Sequence, residues 1–153
     1  MAGKALDFES TSSQFIDIGQ ATSSLRLTGT KYSISFWVKP EDYSQTYPNN
    51  YRTIVGMDDS NDFSGGYKIQ LNTDVTDTRV FWSHNANDGD RNWRSNKVIP
   101  AGSWSHIVCV YDQINRLVYL NADTPDTLVT NADLTSDDND SFYIGASPVN
   151  PFY

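Results

Sequence analysis

Carboxylates are the most numerous side chains capable of chemistry in this chain of 153 residues. Of its 19 acidic residues only Glu9 and Glu41 are glutamates, and they lie on different segments. Glycoside hydrolysis needs two carboxyl groups that flank one scissile bond. The aspartates instead gather in stretches such as Asp58-Asp59 and Asp137-Asp138, which are typical of solvated turns. This pattern predicts no catalytic carboxyl pair.

The other reactive side chains are two histidines and one cysteine. No nucleophile motif accompanies His84 or His106, so a Ser-His-Asp triad is not indicated. No His-x-x-x-His pattern is present, which argues against a transition-metal site. Cys109 has no disulfide partner in the chain, and its surroundings predict a small, buried and unreactive side chain. We therefore expect a protein that is not an enzyme.

Calcium is the one cofactor that the sequence leaves open. Loops rich in Asp and Asn offer several hard oxygens within a few residues, as calcium requires. Such loops also form turns without any ion, and none matches the EF-hand pattern. Both alternatives stand for the candidate ligands, which are Asp58, Asp59, Asp62, Asp137, Asp138 and Asp140.

Aromatic and polar side chains close together are candidates for binding a sugar. The C–H faces of a sugar pack on aromatic rings, and its hydroxyls bond to Asp, Asn, Arg and His. The candidates fall on two segments and are Tyr47, Tyr51, Arg52, Trp82, His84, Asp88, Trp93 and Arg94. Trp82 is alternatively a core residue, and Trp93 is either a sugar platform or an interface anchor. Trp37 and Trp104 are predicted to lie in the core.

The elements that position these residues centre on the stretch from Val98 to Asn121. Its segment Trp104–Tyr111 is rich in β-branched and aromatic residues, which favour a strand. Period-two alternation puts two largely apolar rows on its opposite faces, so we expect a strand that is covered on both sides. Asp112–Asn115 supplies turn formers, and Arg116–Leu120 returns as the partner strand.

About ten to twelve short strands, spaced at 8–12 residues and without helical periodicity, indicate an all-β fold. The longest stretch predicted to be irregular runs from His84 to Asn96. No linker or shift in composition divides the chain, so residues 1–153 are predicted to form one antiparallel β-sandwich. The other predicted strands are Ala5–Phe8, Phe15–Ile18, Lys31–Pro40, Tyr51–Gly56, Tyr67–Leu71, Arg79–Ser83, Asp126–Thr130 and Ser141–Gly145.

The charge of the chain excludes some partners. A net charge of −8 and a pI near 4.4 argue against nucleic acid and against anionic membrane surfaces. No apolar run reaches the roughly 18 residues of a membrane span, and the start has no signal-peptide pattern. We expect a protein of the extracellular space, a virion or a cell surface, without membrane insertion.

Several segments together resemble laminin-G-like domains of the concanavalin A-like lectin/glucanase superfamily. They are Ala5–Phe8, Phe15–Ile18, Tyr32–Pro40, Gly65–Tyr67, Pro100–His106, Val110–Asp112 and Tyr143–Ser147. The resemblance implies two curved antiparallel sheets in a jelly roll. In that family the function ranges over sugar binding, adhesion, calcium-dependent recognition and purely structural roles.

The chain departs from the family pattern at three places. Glu9-Ser10 replaces Asp-Gly after the first strand. Asn121-Ala122 replaces Asn-Gly, and because Ala disfavours positive φ we expect a different turn. The usual last strand is absent, so we expect an open edge near the N-terminal strand and association with other chains. Phe152 and Tyr153 are the predicted anchors of that association.

These expectations combine into one functional hypothesis. The chain is predicted to be a non-catalytic carbohydrate-binding or adhesion module, presented within a larger surface assembly. Its partners would be a glycan or a surface protein, and it would form a homo-oligomer or part of a larger assembly. The alternative is a purely structural decoration or assembly protein, for example of a virion, without sugar binding.

Overall fold

The computed structural model describes residues 4–8, 14–20, 27, 31–41, 51–57, 66–73, 77–84, 92–129 and 141–145. These residues form strands and connections, and none of them is helical. The strands are β1 (Ile16–Gln20), β2 (Tyr32–Val38), β3 (Tyr51–Met57), β4 (Tyr67–Thr73), β5 (Thr78–His84), β6 (Asn92–Val98), β7 (Ser105–Tyr111), β8 (Asn115–Leu120), β9 (Asp126–Val129) and β10 (Ser141–Ile144).

The strands make two antiparallel sheets. One has six strands in the order β1-β10-β3-β4-β5-β6, and the other has four in the order β2-β7-β8-β9. The predicted central hairpin, β7 and β8, occupies the middle of the four-stranded sheet. The all-β, antiparallel sandwich expected from the sequence is confirmed.

The hydrophobic core lies between the sheets. From the six-stranded sheet it receives Ile69 and Trp82, and from the four-stranded sheet Ile107 and Val118, all with 0 % exposure. Along β7 buried residues alternate with half-buried ones, because successive side chains of a strand point to opposite faces. Cys109 lies on the buried row, as predicted.

Arg116 is the one fully buried cation of the described core. Its guanidinium carbon lies 5.9 Å from the centroid of the Trp82 ring, and Nη1 donates a 3.2 Å hydrogen bond to the Trp82 carbonyl. The ring face and the carbonyl dipole both favour the positive charge. Burial also raises the pKa of the nearby Tyr32 hydroxyl far above its usual value.

Register irregularities fall only in the six-stranded sheet among the described strands. They occur at Asp17/Gly19, Thr53/Val55 and Arg79/Phe81. The pairings of β2, β7, β8 and β9 run without interruption. Because an inserted residue bends a strand, the six-stranded sheet is the irregular layer and the four-stranded sheet the regular one.

Three sequence predictions about elements are wrong. Ala5–Phe8 is not a strand. The stretch predicted to be irregular, His84 to Asn96, overlaps β6, which is a polar edge strand without the alternation that marks a half-buried one. β7 is not covered on both sides: Val108 and Val110, on its outer row, are only half-buried.

The turn from β8 to β9 also differs from expectation. Asn121 and Ala122 have φ of 52° and 62°, and the Asp123 amide donates a 3.0 Å hydrogen bond to the Leu120 carbonyl. This is the geometry of a type I′ turn, the same turn that Asn-Gly would form. Ala122 adopts the left-handed conformation despite its Cβ, next to Asn121, which is held by two hydrogen bonds with the His106 backbone at 2.8 and 2.9 Å.

Candidate functional site

The face of the six-stranded sheet that points away from the core is unusually rich in ordered polar groups. Strand alternation and cross-strand register assign its members, and we call it the polar face. Its residues include Tyr51, Thr53, Lys68, Gln70, Asn72, Arg79, Phe81, Ser83, Asn92, Arg94 and, opposite Arg79, the exposed Val98.

Two aromatic rings form a ridge across the middle of the polar face. Tyr51 on β3 and Phe81 on β5 lie on either side of β4, yet their ring centroids are only 4.8 Å apart, edge to face at 63°. The rings must therefore lean across β4. This accounts for the low exposure of Gln70 (5 %) and Asn72 (8 %), which lie beneath them although they point away from the core. Gln70 Nε2 donates a 3.1 Å hydrogen bond to Thr53 Oγ1.

An ionic network borders this ridge. Asp77, just before β5, accepts hydrogen bonds from Arg79 at 2.6 and 2.9 Å through one oxygen and from Arg94 at 2.6 Å through the other. Arg94 Nε also donates a 2.6 Å hydrogen bond to Asn72 Oδ1. The hydrogen bonds from Arg79, together with the charges of both arginines, lower the pKa of the Asp77 carboxyl. The network holds the arginine side chains in fixed positions beside the aromatic rings.

The other end of the polar face carries smaller polar groups. Ser83 Oγ donates a 2.8 Å hydrogen bond to Asn92 Oδ1, and Lys68 pairs with Ser83 across the strands. Tyr143 of β10 lies over Gly56, where an added Cβ would be 2.9 Å from the Tyr143 hydroxyl. The close approach of the ring therefore requires glycine at this position.

Chemically, this face combines aromatic surface with held donors and acceptors. Aromatic rings provide area for C–H faces, while arginine, asparagine and serine side chains bond hydroxyl groups. Within the described ranges no group of three or more His, Cys, Asp or Glu side chains is arranged to hold a metal ion. The groups present on this face are ones that can bind a polar ligand.

The residues predicted from the sequence to bind sugar do not all lie on one face of the six-stranded sheet. Tyr51 and Arg94 lie on the polar face and are joined through Asn72. Arg52 takes the opposite face, across from the core residue Leu71. Trp82 is fully buried, so it is a core residue rather than a sugar platform.

Trp93 also lies on the core side. It pairs with Trp82 across β5 and β6, and it packs half-buried against the core cluster. The two alternatives drawn from the sequence, a sugar platform and an interface anchor, stay predictions. Only the backbone of His84 is described, and it pairs with Tyr67.

The remaining predicted site residues lie outside the described parts of the chain. They are Tyr47, Asp88, Asp58, Asp59, Asp62, Asp137, Asp138, Asp140, Phe152 and Tyr153.

Sequence reasoning missed Phe81, Asp77, Asn72 and Gln70. A signal was present in β4, where Lys68, Gln70 and Asn72 alternate with Tyr67, Ile69 and Leu71. The same alternation in β5 places Phe81 opposite to the core residue Trp82. Asp77 had no such signal, because its role depends on two arginines that only the sheet brings together.

The four-stranded sheet exposes two tryptophans that the sequence assigned to the core. Trp37 is 64 % exposed and Trp104 52 % exposed, so that prediction is wrong. The Trp37 ring stacks on the His106 imidazole at 4.9 Å and 23°, and Ser35 Oγ lies 2.8 Å from His106 Nε2. His106 therefore packs against Trp37 and forms a hydrogen bond with Ser35. No part of the chain that the structure describes forms a helix long and apolar enough to span a membrane.

Solved structures that resemble this chain include laminin domains. The LG1–3 region of the laminin α2 chain gives a TM-score of 0.58 at 13 % identity and covers 88 % of this chain and 24 % of its own. Domains LG4–5 of the mouse laminin α1 chain give 0.54 at 10 % identity, with coverages of 88 % and 32 %.

Domain 4 of an extracellular GH43 arabinanase from Geobacillus stearothermophilus, solved in complex with arabinotriose, is also similar. It gives a TM-score of 0.52 at 24 % identity and covers 77 % of this chain and 52 % of its own. The present chain thus spans about half or less of these three structures. A search of curated protein sequences gave no significant match.

The sequence itself matches a family over nearly its whole length. The matching family, Laminin_G_3, is described under the concanavalin A-like lectin/glucanases superfamily, and the match covers residues 11–153. With its two antiparallel sheets, the chain belongs to the laminin-G-like family of that superfamily.

Proposed function

We propose that this protein is a non-catalytic carbohydrate-recognition module that binds a saccharide on the polar face of its six-stranded sheet. The observation that supports this most is the aromatic ridge of Tyr51 and Phe81 beside the fixed Arg94–Asn72 pair. A sugar ring needs both kinds of group at once, apolar area for its C–H face and oriented hydrogen bonds for its hydroxyls.

The position of the irregular strand pairings gives further support. Irregular pairing at Thr53/Val55 and Arg79/Phe81 bends the strands that carry the aromatic ridge, and bulges of this kind re-aim side chains next to binding sites. A structurally similar arabinanase domain was solved with arabinotriose, which makes a saccharide the first ligand class to test. We further propose an extracellular or surface location, in keeping with the laminin domains that share the fold.

A glycan array tests the function directly. We expect the folded chain to bind a subset of glycans, and Phe81→Ala to weaken that binding by about 10-fold, since an aromatic contact contributes about 0.5–1.5 kcal/mol beyond its buried area. Arg94→Ala should weaken it further, because the variant removes charge-assisted hydrogen bonds.

The matched control is Trp37→Ala, which removes a larger and more exposed aromatic ring from the opposite sheet. It should leave glycan binding unchanged. Absence of hits on a broad array, with protein of native circular dichroism and with calcium supplied, would refute the carbohydrate function. Hits that survive both polar-face variants would refute the assigned site.

Two further elements of the functional hypothesis stay as proposals. Calcium binding by the Asp-rich loops around Asp58 and Asp137 predicts a rise in melting temperature on adding calcium, reversed by a chelator. An assembly role for Phe152 and Tyr153 predicts that deletion of residues 148–153 weakens association more than it lowers the melting temperature. Differential scanning calorimetry and sedimentation measure these effects.

A structural role without sugar binding is the second candidate function. The outer face of the four-stranded sheet favours it, since exposed aromatic residues on that face are typical of a surface that meets another protein.

A further inference from the structure

The outer face of the four-stranded sheet presents continuous cross-strand rows without a single charged side chain. Register and alternation assign its eleven positions, and we call it the apolar face. Its residues are Ser33, Ser35, Trp37, His106, Val108, Val110, Asn115, Leu117, Tyr119, Thr127 and Val129.

This composition is unusual for a sheet face that meets water. Antiparallel sheets with one solvated face normally alternate apolar and polar residues, with the polar ones outward. Here β7 places Val108 and Val110 outward, directly opposite Tyr119 and Leu117 of β8. At the margins Trp37 is 64 % exposed and Val129 65 % exposed. Together they make a contiguous apolar surface of the kind that marks a protein contact.

The apolar face is poorly suited to a glycan. The polar groups beside Trp37 already bond one another: Ser35 Oγ meets His106 Nε2 at 2.8 Å, and Asn121 Oδ1 accepts a 2.9 Å hydrogen bond from the His106 amide. Further along the rows, the side chains of Val108, Val110 and Leu117 have no group that donates or accepts a hydrogen bond. An aliphatic surface of this kind fits another apolar protein surface rather than a sugar.

The charges around the rim are of mixed sign. Lys97 Nζ lies 3.2 Å from Asp123 Oδ2, and Lys31 lies near enough to Asp112 to act on its carboxyl. Lys39 follows β2 at the same rim. The described rim residues therefore carry both signs, although the whole chain carries a net charge of −8. An identical face is a partner that this surface accepts without burying an unpaired charge.

From these features we infer that the apolar face is a self-association surface, on which a second copy of this chain packs sheet against sheet. The uninterrupted pairing of β2, β7, β8 and β9 keeps the layer regular, so two such layers approach along their whole area. Four strands about 4.8 Å apart and about six residues long cover roughly 20 Å by 20 Å in projection.

The area of the apolar face can be compared with that of known interfaces. The projected area is about 400 Å², and the contact area is larger because side chains protrude and Trp104 and Ile114 flank the face. A standard interface buries about 800 Å² on each partner. A contact of this size belongs with the small, reversible interfaces, so association is tested over a wide range of concentrations. Trp37 is its expected hot spot, because large aromatic side chains dominate such contacts.

Sedimentation equilibrium of the full chain between about 5 and 500 µM tests the inference. We expect a reversible monomer–dimer equilibrium, and we expect Trp37→Arg to raise the dissociation constant by about 30-fold or more. Thr127→Arg alters an exposed position of the same face on β9 and should act in the same direction. This second variant keeps the test valid if Trp37→Arg fails to fold. Whether a variant is folded is measured by the protection of Cys109 from a thiol reagent.

Ile18→Arg is the matched control, since Ile18 is 47 % exposed on β1 of the other sheet. It should leave the equilibrium unchanged. A chain that remains monomeric at the highest concentration overturns the inference. A dimer that persists in both face variants, or that is lost only when residues 148–153 are removed, overturns it as well. The glycan-array outcome is independent, because the two variants expected to lose glycan binding, Phe81→Ala and Arg94→Ala, lie on the opposite sheet.

Discussion

Asp77 joins two strands of the polar face, because each of its carboxylate oxygens bonds a different arginine. The hydrogen bonds from Arg79 and the nearby guanidinium charges favour the ionised form, so the pKa of Asp77 in the folded chain lies below its ordinary value of 3.8. The resulting stabilisation is complete above the unfolded pKa and is lost as the pH falls through the folded one.

We therefore predict that Asp77→Asn lowers the free energy of unfolding at pH 7 and has a smaller effect at pH 2.5. Urea denaturation at the two pH values measures the difference. The same substitution should weaken glycan binding at pH 7, because Arg94 loses its ion pair with the Asp77 carboxylate. An equal loss of stability at both pH values would show that the carboxylate charge contributes nothing.

Cys109 offers a second test at the level of one residue. It is fully buried on the core row of β7, and burial raises the pKa of its thiol well above the usual value. Because only the thiolate reacts, we predict very slow labelling of the native chain by a disulfide reagent at pH 8 and immediate labelling in guanidinium chloride. Fast labelling under native conditions would contradict the position of β7.

Individual residues differ in how well the sequence predicted them. Cys109 and Tyr51 were recognisable from strand pattern or from aromatic–polar surroundings. Trp37 and Trp104 were not, because a tryptophan in or next to a strand is expected to be buried and only the sheet shows which face lacks a covering layer. Trp82 is a core residue and Trp93 packs half-buried against the core, and local polarity said nothing about the side to which each ring points.

At the scale of elements, the turn between β8 and β9 carries identifiable strain. Ala122 has φ of 62°, a conformation that is unfavourable for any residue with a Cβ. We predict that Ala122→Gly raises the free energy of unfolding by about 0.5–1 kcal/mol, the relief of strain exceeding the entropy that glycine loses on folding.

The control for this turn is Ala101→Gly, because Ala101 lies in a turn without a positive φ. It should lower the free energy of unfolding by a similar amount, since it adds freedom to the unfolded chain and relieves nothing. Thermal denaturation of both variants gives the comparison. The same sign for both would show that strain at Ala122 is absent.

Strand β3 meets β10 where Gly56 lies beneath Tyr143. An added Cβ would be 2.9 Å from the Tyr143 hydroxyl and 3.1 Å from two ring carbons. We predict that Gly56→Ala destabilises the fold by about 1–3 kcal/mol, the range of overpacking in a tight contact. In a Tyr143→Phe background the same change should be less harmful, because the nearest atom is gone. An unchanged effect in this double-mutant cycle would rule out the clash as the cause.

Most elements were visible in the sequence, and β6 shows why one was not. Strands with apolar rows, such as β2 and β7, can be predicted from the alternation of apolar and polar residues. β6 is Asn-Trp-Arg-Ser-Asn-Lys-Val and has no apolar row; it is a strand because β5 supplies the pairing. The division into six and four strands was equally beyond local pattern, since β1 pairs with β10 and β2 with β7.

At the scale of the whole molecule, the net charge of −8 acts against association while the apolar face acts for it. Repulsion between two acidic chains is screened by salt, whereas apolar contact is not. We predict that self-association tightens as the ionic strength rises from about 20 mM to about 300 mM. Sedimentation in two salt concentrations measures this, and weakening at high salt would indicate a contact built on ion pairs instead.

The irregular pairing at Thr53/Val55 has a consequence for how this chain tolerates change in length. β3 changes parity at Ile54: Tyr51 and Thr53 face outward before it, and Val55 and Met57 face the core after it. Loss of Ile54 would have one of two results. Either Val55 and Met57 would point outward, or Arg52 would take the place of Tyr51 on the polar face. A deletion elsewhere in a loop changes only a connection, but here one codon decides which of two neighbouring side chains stands on the polar face.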